Sequence, residues 1–256
     1  MPTRLWTRSE LILALNLYLK LPFGKLHHRN EEIIRLAGLI GRTPDSVAMR
    51  LSNFANVDPY HQNRGIVGLK GGRKQVEPIW EEFAKNREAL IFESESILAL
   101  LENKPIEEKY SRILDDISGL KGEDRIKETR TRVNQHVFRE MVLANYSGKC
   151  AISGINIPSL LNSSHIIPWS KNQSERLNPE NGICLSALYD RAFDQGLITI
   201  KPDYHVLLSS EIKSFSPEFW FQEYFLPFES KQIHLPVKYL PKKEFLDFHY
   251  NEVYKG

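Results

Sequence analysis

Ser164–Ile200, SHIIPWSKNQSERLNPENGICLSALYDRAFDQGLITI, is the stretch whose reading decides the fold. Beginning four residues earlier, LLNSSHIIPWS (Leu160–Ser170) reads as a strand with His165 near its middle. A polar loop follows, KNQSERLNPENG (Lys171–Gly182), and Asn181-Gly182 leads into ICLSALYDRAFDQG. That piece becomes helical at its end, where Gly196 suits the position just past a helix. LITI and YHVLLS, parted by Lys201-Pro202-Asp203, read as a β-hairpin. Upstream, CAISG (Cys150–Gly154) reads as a short apolar strand with a turn.

Spacing gives this segment its chemistry. Asn181 lies 16 residues after His165, Asp190 nine further on, and Asp194 four beyond that. Residues i and i+4 share a helix face, so Asp190 and Asp194 can present two carboxylates to one point. Paired hard oxygen donors suit Mg²⁺ or Mn²⁺. A neighbouring histidine, with an unperturbed pKa of ~6.5, can take a proton from water near neutral pH. Strand-borne base, loop and metal-binding helix together suit phosphodiester hydrolysis.

SHIIPW, NPENGICL and LYDRAFDQGLI resemble the HNH endonuclease family, in its restriction-type branch, over about residues 130–210. LILALNLY through GRTPDSVAMRLSNFA, with the following Asp-Pro, resembles the helical leader domain found before such nucleases. The resemblance implies a ββα-metal finger with His165 as general base and Asn181 holding the base loop. It also implies a helix-borne cation site with Asp190 in the catalytic group, and 5′-phosphate and 3′-hydroxyl products. Two departures stand out. Ser164 occupies a place where the family often has a metal-binding acid or histidine, and Asp190 falls where its last histidine does. Paired cysteine knuckles are absent, and Cys150 and Cys184 read as small buried strand residues. Arg191 reads as a phosphate clamp or an exposed charge. Arg132, Gln135 and Arg139 are candidate supports for the scissile phosphate. His136, His205, His234 and His249 have no partners at motif spacing and are assigned to structure.

Toward the N-terminus, Thr7-Arg8-Ser9-Glu10 fits a capping box ahead of a helix. Asn30 can cap a second helix closed by Gly41, and Thr43-Pro44 can start a third with Val47, Leu51 and Phe54 inward. Leu36–Phe54 is therefore helix, tight turn, helix, which resembles a helix-turn-helix. On that reading Arg42, Asp45, Ser46, Met49, Arg50 and Asn53 point outward, with Arg42, Arg50 and Asn53 as nucleic-acid contacts. RGIVGLKGGRK (Arg64–Lys74) reads as a basic wing or a flexible surface loop, and residues 128–145 as another helix.

Charge divides the chain in the same way. Residues 1–75 carry 12 Lys and Arg against 5 Asp and Glu, 76–129 carry 8 against 14, and 130–256 carry 14 against 13. A basic first block suits a phosphate surface, although solubility alone also explains such a charge. No apolar run approaches the ~18 residues of a membrane span, and MPTRLWTRSE has no signal-peptide core, which argues for a cytoplasmic protein.

The expected architecture is α+β. Residues 1–100 form a helical, helix-turn-helix-like DNA-binding domain, 101–125 an acidic linker, and 126–256 an HNH nuclease domain. The expected activity is metal-dependent cleavage of DNA, double-stranded in preference, in restriction or defence, with a homodimer as the natural way to cut both strands. The alternatives are a DNA-binding regulator that no longer cuts, and an RNA-directed or toxin-type nuclease.

Overall fold

The computed structural model describes residues 4–65, 67–117 and 119–256. It is α+β, and the chain divides into two units, Met1–Val137 and Phe138–Gly256.

The first unit is helical. Its main helices are α1 (Arg8–Lys20), α2 (Glu31–Ile40) and α3 (Pro44–Val57), with a single turn, α4 (Pro59–Gln62). Then come α5 (Arg73–Phe83), α6 (Arg87–Leu101) and the short α7 (Ile106–Lys109) and α8 (Ser111–Leu114). The expected start and stop signals operate. Thr7 and Glu10 form the capping box of α1, and the Asn30 side chain caps α2. Gly41 closes α2 with φ 64°, a conformation that glycine adopts without a Cβ penalty. Thr43 caps α3 ahead of Pro44. Val47, Leu51 and Phe54 are fully buried, as are Tyr18 of α1 and Ile33 of α2, and the Tyr18 and Phe54 rings stack.

The outward face expected of α3 is corrected. Arg42 makes a two-pronged ion pair with Glu10 (3.1 and 2.8 Å) and donates to the carbonyls of Arg4 and Leu5. Burial pushes the Glu10 carboxyl up, but Arg42 and the Thr7 amide outweigh it and hold it below the usual range. The Arg42 and Arg50 guanidiniums both lie over the Trp6 ring, at 4.2 and 4.8 Å. Asn53 is buried, donating to the Leu69 carbonyl at 2.7 Å, and Asn56 donates to that of Gly68. The end of the glycine-rich segment thus folds back onto α3 instead of standing out as a wing. Gly68 permits this, because a Cβ there would sit 2.3 Å from the Ser52 carbonyl oxygen. Asp45 and Met49 do remain exposed.

The division between units falls within α9 (Gly122–Asn145), a longer helix than the 128–145 the sequence suggests. In the second unit, β1 (Leu161–His165) pairs antiparallel with β2 (Gly182–Ser186), which runs directly into α10 (Ala187–Asp194). The hairpin β3 (Ile198–Ile200) and β4 (Val206–Leu208) follows, then α11 (Ser210–Lys213), α12 (Phe219–Tyr224) and α13 (Lys243–Glu252). Strand, strand and helix form the expected ββα unit.

Two local expectations change. Residues 150–154 form a turn, not a strand, because the Gly154 amide folds back to the Cys150 carbonyl and Gly154 takes φ 72°. His165 is the last residue of β1, not its middle. Beyond it the chain bends to pair the Ile166 amide with the Asn181 carbonyl, and Pro168 has no amide to continue a ladder. Cys150 and Cys184 are free and buried.

Candidate functional site

A pocket of about 590 Å³ opens in the second unit, lined by Arg139, residues 162–165, Pro168, Trp169, Asp190, Asp194 and Gln195. Residues from β1, α10 and the β1–β2 loop thus converge on one cavity.

His165 is held on three sides. Its Nε2 lies 2.8 Å from the Arg176 carbonyl oxygen. A carbonyl only accepts, so Nε2 carries the proton and Nδ1 keeps its lone pair. The ring stacks on Phe138 with centroids 4.3 Å apart, and Trp169 meets it edge-on at 5.4 Å. Burial pushes its pKa below the ordinary histidine value, outweighing the Arg176 carbonyl, which favours the charged form. A neutral imidazole with one free basic nitrogen is the state a general base needs.

The Phe138 platform depends on Gly182, which sits opposite His165 across the β1–β2 pair. A Cβ on Gly182 would lie 2.5 Å from Val142 Cγ2 and 2.9 Å from Phe138 Cζ, both on α9. Glycine here lets the strand approach the helix that carries the stacking ring.

Asn181 does not reach into the pocket; it is buried and ties the base loop together. Its Oδ1 accepts from the Ile167 amide at 2.8 Å, and its Nδ2 donates to the carbonyls of Ile167 and Glu175, each at 3.2 Å. It thereby fixes the loop whose Arg176 carbonyl orients His165.

Asp190 and Asp194 both line the pocket wall. Asp190 accepts from Asn162 Nδ2 at 2.7 Å and from the Ser164 hydroxyl. Asp194 has no hydrogen-bond partner among the described residues, and desolvation followed by the Asp190 charge raises its pKa. No group of three or more His, Cys, Asp or Glu suited to a metal occurs among the described residues. Two carboxylates flanked by neutral oxygens fit a cation such as Mg²⁺, which keeps several waters and takes one or two carboxylates. They do not fit a closed zinc site, which takes four ligands rich in nitrogen or sulfur.

The other expected site residues separate. Arg139 lines the pocket but spends Nη2 on the carbonyls of Pro158 (3.0 Å) and Leu161 (2.8 Å). Arg191 is exposed and lines a different pocket on the other side of α10. Arg132 is paired with Asp116 and Glu128 in the first unit, where Arg42, Arg50 and Asn53 also lie. Four residues escaped the sequence reading as parts of the site: Asn162, Trp169, Arg176 and Phe138. Asn162 carried one usable signal. With Ser164 it is a polar pair two apart on a strand, hence on one face, and that face needs a polar partner. Arg176 acts through its backbone, donates Nε to the Trp169 carbonyl at 2.6 Å and covers the Trp169 ring, none of which the sequence displays.

Residues 150–201 match the family model described as HNH endonuclease. The match covers the ββα unit and every residue of the His165–Asn181–Asp190–Asp194 series, so this segment is similar to HNH endonucleases. Among curated proteins no match was found. Similarity to this family points to nuclease chemistry on nucleic acid. No helix among the described residues is long and apolar enough to cross a membrane.

Proposed function

We propose that the protein is a metal-dependent endonuclease that hydrolyses DNA phosphodiester bonds, with a role in restriction or defence against foreign DNA. The observation that carries this reading is the His165 geometry: Nε2 is pinned to a backbone carbonyl, which leaves Nδ1 the basic nitrogen, and the residue lines a pocket walled by two carboxylates. His165 Nδ1 takes a proton from the water that attacks phosphorus. Asn181 keeps the base loop in register and thereby holds the imidazole in its tautomer. Asp190, oriented by Asn162 and Ser164, and Asp194 would hold a divalent cation, Mg²⁺ or Mn²⁺. Such a cation would supply stabilisation of the charge on the phosphoryl oxygens and on the departing 3′ oxygen. Arg139 supports the scissile phosphate from the pocket rim, and Arg191 lies one position beyond Asp190 on the same helix.

Duplex DNA is the proposed substrate because the basic first block supplies a phosphate-binding surface. Arg42 and Asn53 are engaged inside their own unit and the Arg50 guanidinium is half-buried against Trp6, so contact falls to exposed cations such as Lys70 and Lys74. A homodimer in the cytoplasm completes the reading. The test is digestion of duplex DNA and of structured RNA with Mg²⁺, Mn²⁺ or no metal, followed by mapping of the ends. The reading expects metal-dependent cuts in duplex DNA with 5′-phosphate ends. Preferential cutting of RNA, or equal cutting without metal, contradicts it.

A further inference from the structure

Helix α10 has a second face. Asp190 and Asp194 line the catalytic pocket, whereas Leu188, Arg191, Ala192 and Gln195 follow helical spacing along another stripe and line a separate cavity of about 310 Å³. Its apolar wall is aromatic. Trp220 of α12 lies 5.5 Å from Phe215 and 5.9 Å from Phe225, centroid to centroid. Leu188, Phe215 and Trp220 stay 47%, 48% and 36% exposed, high values for large apolar side chains beside a pocket. The polar edge is equally distinctive. Among the described residues Arg191 and Gln195 make no side-chain hydrogen bond, and the Glu211 carboxylate has a 3.6 Å ion pair with Lys255. The slot itself is almost wholly apolar, and Arg191, Gln195 and Glu211 line its edge. Gln195 lines both cavities, so the slot and the catalytic pocket adjoin at the end of α10.

We infer that this slot binds an unstacked base of the nucleic-acid strand that is cut in the adjoining pocket. A flat ring with hydrogen-bonding edges fits an aromatic wall rimmed by guanidinium, amide and carboxylate groups, and bases stack readily on such rings. At about 310 Å³ the cavity lies at the small end of ligand pockets, which run from ~300 to ~1,000 Å³. The exposed Arg191 cation supplies charge complementarity to the phosphate attached to that base. The inference rests on the nuclease reading of the second unit.

The test is binding of a short, dye-labelled single strand in EDTA, compared with an abasic strand of the same length. Base–aromatic stacking of ~1–3 kcal/mol implies a wild-type preference for the base-bearing strand of roughly 5- to 100-fold. Trp220→Ala should shrink that preference by at least about 5-fold. Trp220→Phe should keep the preference and reduce the tryptophan quenching that accompanies binding, leaving only what Trp169 in the adjoining pocket contributes. Leu188→Trp fills the slot from an exposed helix position, and should lose the preference even if Trp220→Ala proves unstable. An unchanged preference in Trp220→Ala and Leu188→Trp overturns the inference. So does a drop in sedimentation mass with the preference intact, which would make this face a contact between copies. Cleavage of duplex DNA with Mg²⁺, run in parallel, separates the two readings. Preference without cutting leaves the slot and removes the nuclease, and cutting without the preference does the reverse.

Discussion

His165 works through which nitrogen is free. A backbone carbonyl fixes the proton on Nε2 and burial disfavours the charged ring, so the imidazole keeps its neutral form to lower pH than an ordinary histidine. The acidic limb of the kcat/KM profile should therefore fall below the ordinary histidine value of ~6.5. A limb at or above that value would show that another group titrates. Asn181 acts at one remove. Asn181→Ala leaves the Ile167 amide and the carbonyls of Ile167 and Glu175 without their partner. A buried unsatisfied group costs roughly 1–3 kcal/mol, so melting temperature and turnover should fall together. Turnover lost at unchanged stability would instead place Asn181 against substrate. The two carboxylates differ in their partners. Asp194→Asn removes a charge that has no hydrogen bond, so it should raise the Mg²⁺ needed for half-maximal cutting without changing stability, and high Mn²⁺ should rescue it. Normal cutting at low Mg²⁺ by both Asp190→Asn and Asp194→Asn would remove the cation from this wall.

At the level of elements, the helix α10 is held from behind by α13. His249 is buried, donates Nε2–H to the Phe193 carbonyl at 3.1 Å, accepts from the Thr199 hydroxyl at Nδ1 (2.9 Å), and stacks on Phe193. Burial pushes its pKa from 6.5 down to about 4. The unfolded chain thus binds a proton that the folded chain refuses between those values. This stability is present above about pH 6.5 and is lost as pH falls toward 4, by a total on the order of 3 kcal/mol. His249→Gln should flatten the pH dependence of thermal unfolding in that window; an unaltered slope would assign it elsewhere. The order of elements was legible because capping and turn chemistry are local: Thr7, Asn30, Gly41 and Thr43 each declare a helix end from within a few residues. The fate of the segment after Arg64 was not, because it depends on Gly68 meeting the backbone of α3 sixteen positions upstream. The same contact changes what Asn53 does. Asn53→Ala should lower thermal stability while leaving DNA affinity intact, and the opposite result would restore it to the binding face.

For the whole molecule, the site was half legible. The residues proposed to do the chemistry, and the asparagine that holds their loop, announce themselves by spacing, since His165, Asn181, Asp190 and Asp194 lie within thirty positions of one another. The residues that hold them do not, because Phe138 and Gly182 meet only when α9 lies against the strand pair. The charge blocks lead to a division of labour that truncation can test. A chain beginning at Gly122 keeps α9 whole and lacks the basic first block. It should still cut DNA, but bind it more weakly and with a shallower dependence on salt, because each lost phosphate contact removes about one unit of that slope. An unchanged slope would move DNA binding to the second unit alone. The central claim, that His165 is the base of a metal-dependent nuclease, is tested most directly by nicking of supercoiled plasmid with Mg²⁺ or Mn²⁺. Wild type and His165→Ala are compared after their melting curves have been shown to match. The account predicts metal-dependent nicking by wild type and at least a ~10²-fold loss in His165→Ala, the lower end of what a general base contributes; wild-type turnover by His165→Ala in the presence of metal would contradict it.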